Sequence, residues 1–434
     1  MNVESAGRER QRNPEHRVVI TGMGALTSLG ATAHETWHNA LAGKSGVKRV
    51  QRWDPSQLPA QIAGEIIGDA ALPWLDRTDA RSIARFARFA VVASAEALAQ
   101  AGLLEHTSRD PRRSGVIIGT AAGGMDIIAE TTRTFDARGY RRISPFFMTT
   151  FPHNMGTYHV AKAFRCLGPS STIATACATG AQAIGEATEV IRRGQADVMV
   201  AGGAEFAVHP LFFASFAIQQ AATTLNEEPE RASRPFDAER AGFVIGDGAG
   251  VMVLESLAHA MQRGARILGE VVGSGSSNDG YHAIAPEPEG RGAALAIEMA
   301  LTDAGVSPTA IDYVNAHAAS TPLGDAAETA AIKLALGEEH ARRVPISSLK
   351  SMTGHLMGAT GAVESVITVL SMQYGNVPPT INLETPDPLC DLDYVPNVCR
   401  AVDVRYALKN SFGLGGQNAA LVFRRWDDGD EAGV

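Results

Sequence analysis

The chain plays one strand-and-helix theme twice, and that repetition limits its possible folds more than any other feature. "RILGEVVGSGSS" in the second half answers "RVVITGMGALTS" in the first, and "IDYVNAHAAS" stands where the first half has "GVIIGTAAGG". "GAQAIGEATEVIRRG" (180–194) and "GAVESVITVLSMQYG" (361–375) are both 15 residues long, helical in pattern and bounded by glycine. They follow "STIATACAT" and "ISSLKSMTGHLMGAT", and a final "AALVFRRW" matches "ADVMVAGG". Identity between the halves is weak but their order is kept. That favours a duplicated α/β architecture over two unrelated domains.

Within each half, short apolar runs alternate with helical patterns. "RVVITGMG", "SGVIIGTAAGG", "STIATAC" and "ADVMVAGGAE" read as buried strands ending in small residues. "AHETWHNALAG" and "DARSIARFARFAVVASAEALAQAG" have helical spacing and stop at glycine. Strands alternating with helices imply a sheet covered on both faces. With 434 residues, 45% of them hydrophobic, the chain can bury a large core. "VVITGMGALTSLG" places Gly22 and Gly24 after a strand, like the opening of a dinucleotide fingerprint, but Thr27 fills the third position. Tight-turn glycines are the favoured reading there.

Charge and cysteine usage remove several classes of function. A net charge of -9 argues against a nucleic-acid partner, whose footprint is usually basic. Four cysteines (Cys166, Cys177, Cys390, Cys399) form no CxxC pair, which fits a reducing compartment better than a disulfide framework. "MNVESAGRERQRNPEH" at the start is polar and of mixed charge, as expected of a disordered tail rather than a secretory or transit signal. No run approaches 18 apolar residues, so a soluble protein with no membrane partner is expected, and a cytoplasmic one.

Four segments concentrate polar residues in glycine-rich settings. They are "TACATG" with Cys177, "NAHAASTPLGD" with His317, "SSLKSMTGHLMGATGAVES" with Lys350 and His355, and "NSFGLGGQN" near the end. Taken singly, each has a plain structural explanation. Burial is the commoner fate of a free cysteine. His317 reads equally as a satisfied core histidine, His355 as a helix-start residue and Lys350 as a solvated lysine. "GLGG" reads as a turn that glycine permits at little steric cost.

Taken together, the motifs resemble the elongating condensing enzymes of the thiolase-fold superfamily, of the β-ketoacyl-[acyl carrier protein] synthase II type. The signatures stand here as "TACATG", "NAH..STP", "KSMTGH" and "NSFG.GG.N", with "ASRPFDAERAGFVIGDGAG" and "PPTINLETPDPLCDLDYVPN" outside the site. The resemblance runs from about residue 17 to 426. It implies a layered αβαβα fold: residues 17–265 carrying the nucleophile, 266–426 carrying two histidines, and tails at 1–16 and 427–434. It also implies decarboxylative Claisen condensation in fatty acid elongation, with acyl carrier protein as partner, a homodimer, and no metal or organic cofactor.

By that resemblance Cys177 takes the acyl group, at a helix N-terminus expected to lower its pKa. His317 and His355 donate N–H groups to the enolate left by malonyl decarboxylation. Lys350 tunes the site through Glu364, and the backbone N–H groups of Cys177 and Leu414 form an oxyanion hole. Phe412 and Thr321 support the site, and Ala122 lines the acyl tunnel.

Several positions depart from the family pattern. Leu414 stands where phenylalanine is common, Gln417 where histidine or threonine is usual, and Ala318 and Ala319 where glycine and threonine are usual. Ala122 is small for its position, which implies room for a longer or branched chain. Arg77, Arg81, Arg85 and Arg88 fall close to one helical face. That face is either a solvated basic surface or a docking site for the acidic carrier protein, with Arg81 the best match to the family's docking surface.

Three rival readings stay open. A thiolase would need Cys390 or Cys399 as a second catalytic cysteine, and a non-catalytic chain-length factor would normally lack the nucleophile. A paralogue specialised for polyketide assembly or inhibitor tolerance is the subtler alternative.

Overall fold

The computed structural model describes residues 16–68, 83–105 and 109–427. Ten strands form its large sheet, numbered here along the chain. They are β1 (Val18–Leu26), β2 (Ser114–Gly119), β3 (Ser170–Ser171), β4 (Val198–Glu205) and β5 (Gly248–Ser256), then β6 (Gly269–Asn278), β7 (Tyr313–Asn315), β8 (Ile346–Ser347), β9 (Tyr406–Gly413) and β10 (Gln417–Arg424). Their spatial order is β8-β7-β9-β10-β6-β1-β5-β4-β2-β3. Each half therefore has the same order, with β6 to β10 repeating β1 to β5. In both halves the outer pairs are parallel and the inner pairs antiparallel. The halves join where β1 and β6 pair antiparallel, with Val18 opposite Val271.

Three helical layers sandwich this sheet. α1 (Arg85–Gln100) and α2 (Met155–Phe164) cover the outer face of the first half, and α4 (Arg291–Ala304) and α5 (Pro322–Leu336) cover that of the second. α3 (Thr179–Arg192) and α6 (Thr360–Tyr374) lie between the halves. Strand alternation explains the layering. On β4, Val198 and Val200 face the α1 side, whereas Met199 and Ala201 face the central helices. α3 buries Ala183, Ile184, Ala187 and Ile191, while its Val190 is half-buried.

The observed duplication corrects two parts of the sequence reading. "AALVFRRW" belongs to β10, whose counterpart is β5; the counterpart of β4 is β9. The expected strand "STIATAC" contributes only Ser171 to the sheet, as the second residue of β3, because the chain leaves it to build the turn before α3.

Gly22 and Gly24 are not turn glycines either, since β1 continues through both, with a shift of register between Ile20 and Gly22. A Cβ at either would lie 2.0 Å from a carbonyl oxygen of α1, that of Ala97 or Ala93. Gly273 and Gly275 on β6 meet Ala300 and Ala296 of α4 in the same way, each at 2.2 Å. The paired glycines let an outer helix settle directly onto its strand. The 265/266 boundary falls between the helix Leu257–Gln262 and β6.

Candidate active site

The duplication places two sharp turns at the centre of the molecule. Residues Ala176–Ala178 form a 3-10 turn entering α3, and Met357–Ala359 form another entering α6. Ala176 and Met357 both take a left-handed backbone, with φ of +49° and +48°, an uncommon state for a residue with a side chain. The next residue is Cys177 in the first turn and Gly358 in the second. The chemistry-bearing thiol thus occupies only one of two equivalent positions.

Cys177 is buried, and burial pushes its thiol up to about 11. Three groups pull the other way: the Leu414 backbone N–H, the Lys350 charge and the Cys177 backbone N–H, while Glu205 adds to the upward push. The helix N-terminus alone was expected to lower this pKa. Desolvation wins instead, because the thiol is enclosed rather than set at an open helix end. The Leu414 N–H reaches Cys177 because β9 ends against the turn. A Cβ on Gly413 would stand 2.8 Å from the Thr175 carbonyl oxygen and 3.0 Å from the Cys177 nitrogen. Leu414 itself is 37% exposed.

His317 and His355 come from the second half and meet nearly edge to face, with ring centroids 5.5 Å apart. His317 follows β7. Its backbone N–H donates to Glu328 Oε1 at 2.8 Å, and that of Ala318 to Glu328 Oε2 at 2.6 Å. Its Nδ1 is buried with no hydrogen-bond partner among the described residues, and Phe412 packs beside its ring at 5.8 Å. His355 is fixed on both sides: its backbone N–H donates to Val244 O, and its Nδ1 lies 2.9 Å from Thr360 Oγ1. When the Thr360 hydroxyl donates, the proton of the neutral ring sits on Nε2. Burial holds both histidines well below the usual imidazole pKa, and the Lys350 and Lys409 charges add to it.

Lys350 is not solvated. It is buried and donates to Glu364 Oε1 at 2.8 Å. The Thr321 hydroxyl caps α5 by accepting from the Gly324 N–H, so it is engaged within the fold. Ala122 is partly buried beside Met125 and Phe216 in an apolar cluster that includes Phe213, Phe243 and Met357. Ala318 and Ala319 are both buried.

Of the four arginines expected on one basic face, Arg77 and Arg81 lie outside the described residues. Arg85 and Arg88 turn inward. Arg85 donates to the Ile66 carbonyl and lies over the Phe206 ring, and Arg88 donates to the Ile83 carbonyl. Those two arginines do not form a solvated face.

The comparisons with known proteins agree on one family. The Beta-ketoacyl synthase N-terminal domain matches residues 15–260 and the Beta-ketoacyl synthase C-terminal domain matches residues 268–384. The chain belongs to the β-ketoacyl synthase family. Its relatives include the 3-oxoacyl-[acyl-carrier-protein] synthase 2 of Vibrio harveyi, 46% identical over 95% of this chain and 99% of that protein. The corresponding enzyme of Synechocystis is 44% identical over 94% and 98%. Among solved structures, a beta-ketoacyl synthase from Burkholderia phymatum superposes with a TM-score of 0.88 at 38% identity, covering 95% and 100% of the two chains. A type II polyketide ketosynthase, solved with its acyl-carrier protein and bound to a hexaketide, gives 0.88 at 37%, covering 95% and 99%.

Three residues of this β-ketoacyl synthase site escaped the sequence reading. Glu205 ends β4 and accepts from Thr120 Oγ1 and the N–H groups of Ala121, Ala122 and Gly358, tying the second turn to the first half. Burial raises its pKa to about 7. Glu328 holds the His317 loop and also accepts from Asn410 Nδ2 at 3.1 Å. Lys409 is fully buried in β9, 2.9 Å from Glu364 Oε2. The available signal was a charged residue inside or ending an apolar run, as in "VMVAGGAE" and "YALKNSFG".

Proposed function

We propose that this family member is an elongating condensing enzyme that joins an acyl thioester to malonyl-[acyl carrier protein] with loss of CO2. The observation that carries the reading is the convergence on one buried thiol. The Leu414 N–H and the Lys350 charge act on Cys177, and the His317–His355 pair stands beside that same Lys350.

In the first half-reaction the Cys177 sulfur bonds to the acyl carbon and the carrier thiolate leaves. The cysteine proton passes overall to that thiolate. Backbone N–H groups of Cys177 and Leu414 hold the tetrahedral oxyanion, where preorganised donors act most strongly. In the second, the malonyl carboxylate leaves as CO2, and the electron pair stays on the α-carbon as an enolate. Neutral His317 and His355 donate N–H groups to its oxygen. The enolate then attacks the acyl carbon and expels the Cys177 thiolate, which takes up one proton. Lys350 acts through Glu364, Phe412 and Thr321 shape the site, and Ala122 lines the acyl path.

A thiolase reading lacks its second cysteine near the site. Cys390 belongs to the outer core of the second half, and Cys399 is exposed. A polyketide role draws support from the ketosynthase neighbour at 37% identity, but relatives at 44–46% carry the synthase 2 name. Fatty acid elongation is therefore the favoured assignment.

Acyl carrier protein is the proposed partner, with Arg81 and Arg77 as docking residues. Cytoplasm is the proposed location. A homodimer is proposed on the free edge at β3 and the exposed Phe135, Tyr140, Phe146 and Met148.

The test is incubation with acyl-[acyl carrier protein] followed by peptide mass analysis. Acyl mass on Cys177, and labelled CO2 released from malonyl-[acyl carrier protein], are the expected outcomes. Acylation elsewhere, or no CO2, sinks the reading.

A further inference from the structure

The roles above leave Lys409 without a function, although its position is costly. It sits in the middle of β9 with no exposed side chain, and a buried ammonium needs a partner to stay charged. Its Nζ lies 2.9 Å from Glu364 Oε2, donates to the Asn410 carbonyl, and lies 3.2 Å from Ser411 Oγ. Glu364 Oε1 is already taken by Lys350 Nζ at 2.8 Å. One carboxylate on α6 thus bridges two ammonium groups, where one would have balanced it.

Both ammonium groups act on the histidines of the reaction centre. Of the charged groups around Lys409, Glu364 and Glu328 attract it, and Lys350 repels it. Lys409 in turn acts on both His317 and His355, disfavouring their protonation. Tyr313 on β7, whose hydroxyl lies 2.7 Å from Ser347 Oγ, is held neutral by burial, and the Glu364 charge adds to that. For an enolate this matters. A neutral imidazole stabilises it and leaves it a nucleophile, whereas an imidazolium can hand it a proton. That transfer converts malonyl-[acyl carrier protein] plus one proton into acetyl-[acyl carrier protein] plus CO2, with no carbon–carbon bond formed.

We propose that Lys409 is a positioning residue of the decarboxylative step, sharing Glu364 with Lys350 to keep His317 and His355 neutral and so protect the enolate from protonation. The proposal rests on the reading of the two histidines as enolate donors.

The test compares products of the acyl-Cys177 protein with malonyl-[acyl carrier protein] from pH 6 to 9. Lys409→Met removes the charge at similar volume, and Lys409→Gln also keeps a donor for the Asn410 carbonyl. At pH 6 each is expected to raise the acetyl share of product several-fold over wild type, with iodoacetamide labelling of Cys177 unchanged. Lys409→Arg is expected to restore the wild-type partition. An acetyl share equal to wild type in a folded neutral variant overturns the proposal, as does equal loss of labelling and condensation.

The histidine reading fails separately, if His355→Ala decarboxylates at the wild-type rate.

Discussion

Gly358 occupies, at the start of α6, the position that Cys177 occupies at the start of α3. The two follow left-handed residues whose φ angles differ by one degree, +48° at Met357 and +49° at Ala176. The duplicated scaffold offered two nucleophile positions, and the second is filled by backbone. A Cβ on Gly358 would lie 2.5 Å from the Ala121 nitrogen and 2.7 Å from Glu205 Oε2. Gly358→Ala should therefore destabilise the fold by about 1–3 kcal/mol, the usual cost of overpacking. Denaturant midpoints for the variant and the wild type measure it, and an unchanged midpoint contradicts the packing account.

Cys177 reactivity should follow its raised pKa. Below about 11, the thiolate fraction grows about tenfold for each pH unit, and only the thiolate is alkylated. Iodoacetamide labelling of the resting protein should thus climb steadily from pH 7 to 9. Lys350→Met removes a charge that favours the thiolate, so it should slow labelling at every pH in that range. A plateau below pH 8 would show that the helix N-terminus outweighs burial.

Most of the fold was legible because its period is written in the sequence. Alternating strands and helices and the glycine-bounded 15-residue repeats map onto the two halves. Gly22 and Gly24 misled because a strand glycine and a turn glycine look alike until the helix that needs the space is known. Taken singly, Lys350 read as solvated, and only the family resemblance supplied its partner Glu364, which lies on a separate helix. Lys409 and Glu205 were missed for a related reason. Periodicity shows which residues are buried, but it does not show which buried charges face one another.

Leu414 separates two functions that one gate residue can combine. Its backbone N–H reaches Cys177, while the residue as a whole is 37% exposed. Leu414→Phe should therefore leave short-chain acylation of Cys177 near the wild-type rate while changing the rates for long chains and the fit of site-directed inhibitors. Acylation assays across a chain-length series check this. A uniform loss at every length would place the side chain in the chemistry rather than at the entrance.

Thr360 gives the sharpest test of the histidine pair. Its hydroxyl lies 2.9 Å from His355 Nδ1, and donation there leaves the proton on Nε2, free to reach the enolate oxygen. Thr360→Val keeps the shape but removes that donor, so His355 is no longer held in one tautomer. Decarboxylation of malonyl-[acyl carrier protein] should fall by about tenfold, less than the roughly 10²–10³ expected for His355→Ala, because the ring itself remains. Cys177 labelling should be unaffected, since Thr360 touches the second half-reaction alone. Equal decarboxylation by Thr360→Val and wild type would mean that His355 finds its tautomer without help, and the threonine would then be a helix-start residue only.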